Sequence, residues 1–411
     1  MAGEMYEELR LGNIADFRNG KAISPDRYSP TGEYPVFGAN GQIARSNGVL
    51  NPDPVIVIGR VGAYCGSVYY VPEPSWVTDN AIVAIPKRGN DLRFLYYLLG
   101  SLDLRRTAIG SAQPLITQGG LRIVETHVPP LKVQQTIGCI LGALDDKIEL
   151  NRRMNHTLEA MARAIFKSWF VDFDPVRAKA DGRDPGLPKD IADLFPDEFE
   201  ESRFGDIPKR WRLGALGDLA QINGRTLGRN DSLDVIDYVE IREVMRGDVA
   251  TTTRYRRGEE PSRARRRLQH GDTVLSTVRP DRGAYFLCID PPETLIASTG
   301  FAVLTPRDGN WAFVHAAATR AEIGQELGRL ADGAAYPAVR PEVVAARVAV
   351  IPDEARLVST YDEVAEPLFL RAASNRRECS AFASIRDALL PRLISGELRI
   401  GDVERIVGRC A

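Results

Sequence analysis

The sequence predicts an α+β protein written as an internal repeat: two similar globular domains, each followed by a long helix, with the two helices paired antiparallel about a pseudo-two-fold. Three observations carry this. The 411 residues are too many for one ordinary core. Two stretches of the chain match in the same order, and a seven-residue apolar period recurs at matched positions in both halves.

The repeat is read from pairs of segments. Leu11-Gly-Asn-Ile-Ala-Asp-Phe17 answers Leu216-Gly-Asp-Leu-Ala-Gln-Ile222, and Asn19-Gly20-Lys21 answers Asn223-Gly224-Arg225. Thr78 to Pro86 parallels Ser298 to Pro306, Gly110-Ser-Ala-Gln-Pro114 parallels Gly333-Ala-Ala-Tyr-Pro337, and Asn151-Arg152-Arg153 parallels Asn375-Arg376-Arg377. The separation between matched positions grows in loop-sized steps while the order is kept.

Each half opens with short apolar runs broken by Gly, Pro, Asn and Asp, such as Val55 to Ile58, Ser67 to Val71 and Ile82 to Ile85, then Val274 to Leu275 and Tyr285 to Ile289. These predict strands, with short helices over Arg93 to Leu104 and Trp311 to Leu330. A long helix follows, from Leu131 to Phe170. Ile137, Leu144, Asn151, Leu158 and Ile165 recur on it every seventh residue, and Tyr361, Leu368, Asn375, Phe382 and Leu389 stand at the matched positions of the second half. Ile140, Leu141, Ile148, Met154 and Met161 flank the first seam, and Val364, Ala372 and Ile385 the second. Each helix would be ~57 Å long at ~1.5 Å per residue, so pairing with the other is the simplest way to bury both seams. Pro367 is expected to kink or shorten the second helix. The domain plan is therefore 1–130, a helix over 131–171, a surface linker over 172–206 rich in Pro, Asp, Gly and Arg, a second domain over 207–352, a second helix over 353–398 and a tail over 399–411.

Composition narrows the functional classes. With 44% hydrophobic and 26% charged residues the chain reads as an ordinary globular protein. No apolar run approaches the ~20 residues that span a bilayer, and five scattered cysteines fit a reducing compartment, so the cytoplasm and no membrane partner are expected. A net charge of −2 offers nucleic acid no general attraction, so any such contact must rest on local patches. The histidines and cysteines lack metal-ligand spacing, so no metal site is expected. Gly59-Arg-Val-Gly62-Ala-Tyr-Cys-Gly66 has the wrong spacing for a phosphate loop and fits a tight strand turn. Asp290-Pro-Pro-Glu293 places a carboxylate where an adenine methyltransferase loop carries a stacking aromatic. Asp145-Asp-Lys147 has half of a nuclease pattern but lies on the heptad helix. No catalytic residue and no cofactor is expected in this chain.

What remains suits DNA. Between Arg254 and Arg267 stand seven arginines against two glutamates, and Arg279 and Arg282 follow one strand later. The planar guanidinium grips phosphate and reads guanine edges bidentately, which singles out Arg254, Arg256, Arg279 and Arg282. In the first half the candidates are Asn40, Arg60, Asn80 and Gln113, on loops near glycine, where amides are able to pair with adenine. Asn151 and Asn375 occupy the same seam position near their helix midpoints. They are expected to meet at the crossing and fix the register of the pair.

The combination resembles the specificity subunit of type I restriction-modification systems. The likeness rests on Val128-Pro-Pro-Leu131 with Gln134-Gln135, on Phe166 to Pro175, on Ile207-Pro-Lys-Arg-Trp211 and on Leu389 to Leu398, and it covers roughly Leu9 to Ile400. The resemblance implies two target-recognition domains joined by antiparallel spacer helices, reading a bipartite site in double-stranded DNA. It also implies two modification subunits carrying S-adenosylmethionine and restriction subunits using ATP and Mg. Asp79-Asn80 is replaced by Thr299-Gly300 in the second half, so a contact at Asn80 need not have a counterpart. A two-headed scaffold for protein partners, without DNA sequence preference, is the alternative reading of the same architecture.

Overall fold

In the computed structural model the described residues are 6–110, 113–203, 205–228, 231–333 and 336–398. The tail 399–411 lies outside them. The chain divides into two compact units, Met1–Leu150 with Glu378–Ala411, and Asn151–Arg377.

The first unit is organised by the run Val55-Ile-Val-Ile. Val55–Gly59 is a central strand, buried along its length, in an antiparallel sheet of order Ala15–Asn19, Ala81–Pro86, Val55–Gly59, Val68–Val71. Strand alternation sends Ile56 and Ile58 to one core with Phe94, Leu95 and Leu98, and Val55 and Val57 to another with Val77 and Val83. This explains why the run is continuously apolar rather than alternating. A second sheet runs Gly41–Ser46, Tyr34–Gly38, Trp76–Val77, the last pair parallel, and Glu7–Arg10 pairs with Glu125–Val128. The helix Leu92–Ser101 starts where the Asp91 carboxylate accepts from the Phe94 N–H at 2.8 Å. It stops short of the expected Leu104, because Leu102 turns extended and Leu104–Thr107 forms a separate 3₁₀ turn.

The second unit repeats this plan. Its antiparallel sheet runs Ala220–Ile222, Phe301–Pro306, Thr273–Ser276, Tyr285–Leu287, and Arg212–Ala215 pairs with Val348–Ile351. Its other sheet runs Thr253–Arg256, Val235–Val239, Leu295–Ser298, Ala264–Arg267, so it keeps one parallel pair and adds a strand. The expected helix Trp311 to Leu330 is two helices, Trp311–Ala318 and Ala321–Arg329. Thr319 ends the first by bonding its hydroxyl to the His315 carbonyl at 2.7 Å, and Arg320 is extended.

The stretch expected as a surface linker is folded. It holds helices Asp174–Ala180 and Lys189–Ala192 and the hairpin Phe199–Ser202 with Gly205–Pro208. Phe173, Val176 and Phe195 are buried in one core with Phe166, Trp169, Phe170 and Trp211. The polar composition hid a few apolar residues placed where a core needed them.

The long helices span Leu131–Phe170 and Ala355–Ile394. The second passes Pro367 without interruption, with Ala365 and Phe369 fully packed on either side of it. The helices run antiparallel in both units: Asp145 meets Arg386 at 2.6 Å in the first, and Asn155 meets Asn375 while Ala162 meets Tyr361 in the second. The deepest stripe of the first helix is Leu141, Ile148, Asn155, Ala162 and Trp169, four residues on from the predicted seam, whose Leu144, Leu158 and Ile165 are half-buried. The expected flanking residues Met161, Val364 and Ile385 are exposed. This shift changes the amide pair. Asn375 is fully buried and donates to Asn155 Oδ1 at 2.9 Å, so the partner is Asn155, one turn beyond the equally buried Asn151.

A compensated exchange distinguishes the two helix starts. In the first unit Asp91 caps its own helix, and Gly138 of the long helix leaves room, since a Cβ there would lie 2.7 Å from the Asp91 carboxylate. In the second unit Asn310 gives no side-chain cap to Trp311–Ala318. The matched position of the long helix carries Asp362, which accepts from the Ala312 and Phe313 N–H groups at 3.1 and 2.9 Å. Burial pushes the Asp362 carboxyl up to about 7 against the pull of those N–H groups, and Glu366 adds to the rise.

Two outcomes follow from this packing. Asn155→Leu strands Asn375, whose Oδ1 already lacks a bond among the described residues, and should cost about 1–3 kcal/mol in denaturant unfolding. The double change Asn155→Leu with Asn375→Leu should recover most of it. Asp362 binds more protons folded than unfolded between its ordinary pKa of 3.8 and about 7, so its contribution is present below that window and is lost as pH rises through it. Melting temperature should fall from about pH 5 to pH 8 and fall less in Asp362→Asn; equal slopes in the two proteins would assign the titration elsewhere.

Candidate nucleic-acid interface

The loops at the end of the central strand form one rim in the first unit. Gly59 is required there, because a Cβ would lie 2.3 Å from the Tyr64 carbonyl and 2.5 Å from that of Ala39. The close approach brings the Asn40 turn beside Arg60. The Arg60 N–H donates to the Asn80 carbonyl at 3.0 Å, and the Gly62 N–H donates to the Pro114 carbonyl at 3.2 Å. The structure thus gathers Asn40, Arg60, Asn80 and Gln113 on adjoining loops. Asn40, Asn80 and Gln113 are exposed, whereas Arg60 is half-buried and its Nη1 donates to the Asp79 carbonyl at 3.3 Å. Burial leaves Arg60 Nε without a hydrogen bond.

The second unit rebuilds this rim bond for bond. Thr277 N–H donates to Gly300 as Arg60 does to Asn80, and Val339 N–H to Thr277 as Ile116 does to Arg60. Arg279 N–H donates to Pro337 as Gly62 does to Pro114, and Arg282 N–H to Arg279 as Cys65 does to Gly62. The equivalences make Arg279 the counterpart of Gly62, and both sit in left-handed backbone, at φ 47° and φ 72°. Glycine adopts that conformation freely; an arginine does so at a cost of about 1–2 kcal/mol. The Arg279 guanidinium lies 5.3 Å from the centre of the Tyr336 ring, itself 75% exposed, and Tyr336 stands where the first unit has Gln113. Arg282 is exposed in the following turn.

Residues 3–160 match the family model described as the type I restriction modification DNA specificity domain. The HindI specificity subunit of Haemophilus influenzae is 25% identical over 69% of this chain and 71% of its own. The MjaIX specificity subunit of Methanocaldococcus jannaschii is 23% identical over 78% and 72%. Its relatives are the specificity subunits of type I restriction enzymes. The crystal structure of the Mycoplasma genitalium type I S subunit superposes with a TM-score of 0.63 at 14% identity, covering 96% of this chain and 97% of that one, so the fold is shared.

As in such a two-domain reader, the arginines do not all face outward. Arg254 pairs with Asp237 at 2.8 Å, and this pairing holds the Asp237 carboxyl below its usual range. Arg257 and Arg265 both pair with Glu260, and Arg267 with Asp231 at 3.4 Å. Arg266 is half-buried. Only Arg256 and Arg263 of the seven are exposed without an ion pair among the described residues. The arginine run is therefore mostly internal bracing, and Arg254 and Arg256 lie on the outer strand Thr253–Arg256 rather than on the rim loops. Two rim residues escaped the sequence reading. Tyr336 was visible as the aromatic answering Gln113 in the repeat. Arg246, exposed at φ 44°, donates its N–H to Gly283 at 2.8 Å beside Arg282, and its signal was the Arg-Gly turn of the hairpin Val244–Met245 with Asp248–Val249.

The motifs with enzymatic overtones are occupied by packing. Asp290 bonds His270 Nδ1 at 2.8 Å and Arg377 at 3.4 Å, and these partners, His270 first, hold its carboxyl below the usual range. Asp145 accepts from Tyr97 and pairs with Arg386, while Asp146 pairs with Arg93. Burial holds His315 neutral, its pKa brought down to about 3, against the Thr273 hydroxyl. Among the described residues no group of three or more His, Cys, Asp and Glu is placed to hold a metal ion, and no helix is long and apolar enough to cross a membrane.

The backbone at the two matched turns makes opposite demands on substitution. Gly62→Ala meets no atom within 4 Å yet should cost about 1–2 kcal/mol by calorimetry. Arg279→Gly relieves the same strain and should leave stability within about 1 kcal/mol of the parent, the lost ring contact offsetting the gain.

Proposed function

We propose that this chain is the DNA-reading subunit of a type I restriction-modification complex: it recognises a bipartite target in double-stranded DNA and directs partner subunits that methylate or cut. The observation that carries the reading is the doubled rim, one backbone scaffold built twice with different polar side chains. Such a scaffold suits two reading heads with independent preferences, as base edges are distinguished by the side chains presented to them. The relatives named as specificity subunits support it.

In this reading the chain itself catalyses nothing. Two modification subunits bring S-adenosylmethionine, restriction subunits bring ATP and Mg, and the assembly works in the cytoplasm. Asn40, Asn80 and Gln113 contact the first half of the target, with Arg60 bracing their loops. Arg279 and Arg282 contact the second half, with Arg254 and Arg256 giving the outer strand its positive charge. Asn375 with Asn155, and Asn151 beside them, hold the register of the paired helices, because a slipped pair would bury an amide without its partner.

The test is equilibrium binding by the complex reconstituted with its modification subunits, over a library of duplexes at several salt concentrations. Salt-sensitive binding that prefers one bipartite sequence is expected. Exchange of the second domain, Gly214 to Ile351, for that of a relative should then alter one half of the preferred sequence only. Binding without sequence preference would support the scaffold instead.

A further inference from the structure

The second rim spends backbone strain to place one side chain. At the position where the first unit uses Gly62, the second unit holds Arg279 at φ 47° and ψ 56°, a region that arginine rarely occupies. A strained non-glycine residue persists where the surroundings over-determine it, and such positions cluster at ligand clamps. The surroundings here are explicit. The Arg279 N–H is tied to the Pro337 carbonyl at 2.8 Å, and the next residue back along that loop, Tyr336, puts its ring 5.3 Å from the guanidinium. One loop therefore fixes both the backbone and the head group of the arginine. A ring contact engages a face of the guanidinium and leaves the in-plane N–H groups of its edge as donors. That fork matches guanine O6 and N7, whereas lysine, a point charge, matches phosphate but not the fork.

From this geometry we propose that Arg279 is a specificity-determining residue that reads a guanine edge in the second half of the DNA target, with Tyr336 as the positioning residue that holds it. The proposal rests on the reading of the chain as a DNA-reading subunit and adds the base class and the residues. It also makes the two rims chemically unequal. The first presents amides at Asn40, Asn80 and Gln113 and uses its arginine, Arg60, to hold the Asp79 carbonyl.

The experiment measures binding of the reconstituted complex to duplexes varied at each position of the second half-site. With the parent chain, replacing one guanine by 7-deazaguanine, which lacks the N7 acceptor, should weaken binding. Arg279→Lys and Arg279→Ala should lose ~5- to 150-fold preference at that same position and leave the first half-site unchanged. Tyr336→Leu should blunt the preference, and Tyr336→Phe, which keeps the ring face, should restore it. A uniform loss across sequences in Arg279→Ala that Arg279→Lys repairs, or no response to 7-deazaguanine anywhere in the second half-site, would make the contact a phosphate one and overturn the proposal. If the parent complex shows no sequence preference at all, the DNA-reading assignment itself falls, and this proposal with it.

Discussion

Each unit is completed by helix faces that come from both ends of the repeat. The first unit's core includes Val133, Ile137 and Leu141 of one long helix and Leu393 of the other; the second takes in Phe166, Trp169 and Phe170 from one and Leu357, Tyr361 and Phe369 from the other. Neither core closes until the helices lie side by side. The antiparallel pairing is thus a condition of both domains, and the chain from Asn151 to Arg377 folds as a unit inserted between two parts of its neighbour. A protein organised this way holds its helix register as firmly as its cores, since slipping the pair would empty both. The aromatic cluster of Phe166, Phe170, Phe313 and Tyr361, with ring centres 5.0–6.2 Å apart, shows how densely that dependence is packed.

The repeat has been preserved where backbone bonds need it and altered where side chains meet solvent. The rim bonds recur with different residues at nearly every exposed position. The cap exchange shows the same rule inside the fold. A helix start needs an anionic acceptor, and it does not matter energetically whether Asp91 supplies it locally or Asp362 reaches over from the long helix. What matters is that the matched position be empty when the cap is local, as at Gly138, and filled when it is not.

Charge in the second unit follows from the same accounting of partners. The added strand Ala264–Arg267 and its neighbours carry a dense arginine run, and most of those arginines meet Asp237, Glu260 or Asp231. Composition counts positive charges without showing which are cancelled. The pairs neutralise the run locally and leave the left-handed turn at Arg279, one strand away, as the place where a guanidinium is held by geometry rather than by a carboxylate drawn from that run.

The sequence by itself determined the repeat, the order of domain and helix, and the ends of both long helices, because apolar periodicity and glycine punctuation are local properties of the chain. It also placed Asn40, Asn80, Gln113 and Arg279 among the candidates, since polar residues beside turn glycines are legible one loop at a time. Only the tertiary structure decided what required knowing distant partners. It made the polar stretch after Phe170 part of a core, through Phe173, Val176 and Phe195. It moved the deepest helix stripe by four residues and so paired Asn375 with Asn155, because the rotation of a helix about its axis is set by what packs against it. It turned Arg254 inward to Asp237 and set Tyr336 beside Arg279, two contacts between residues far enough apart in the chain that no local pattern records them.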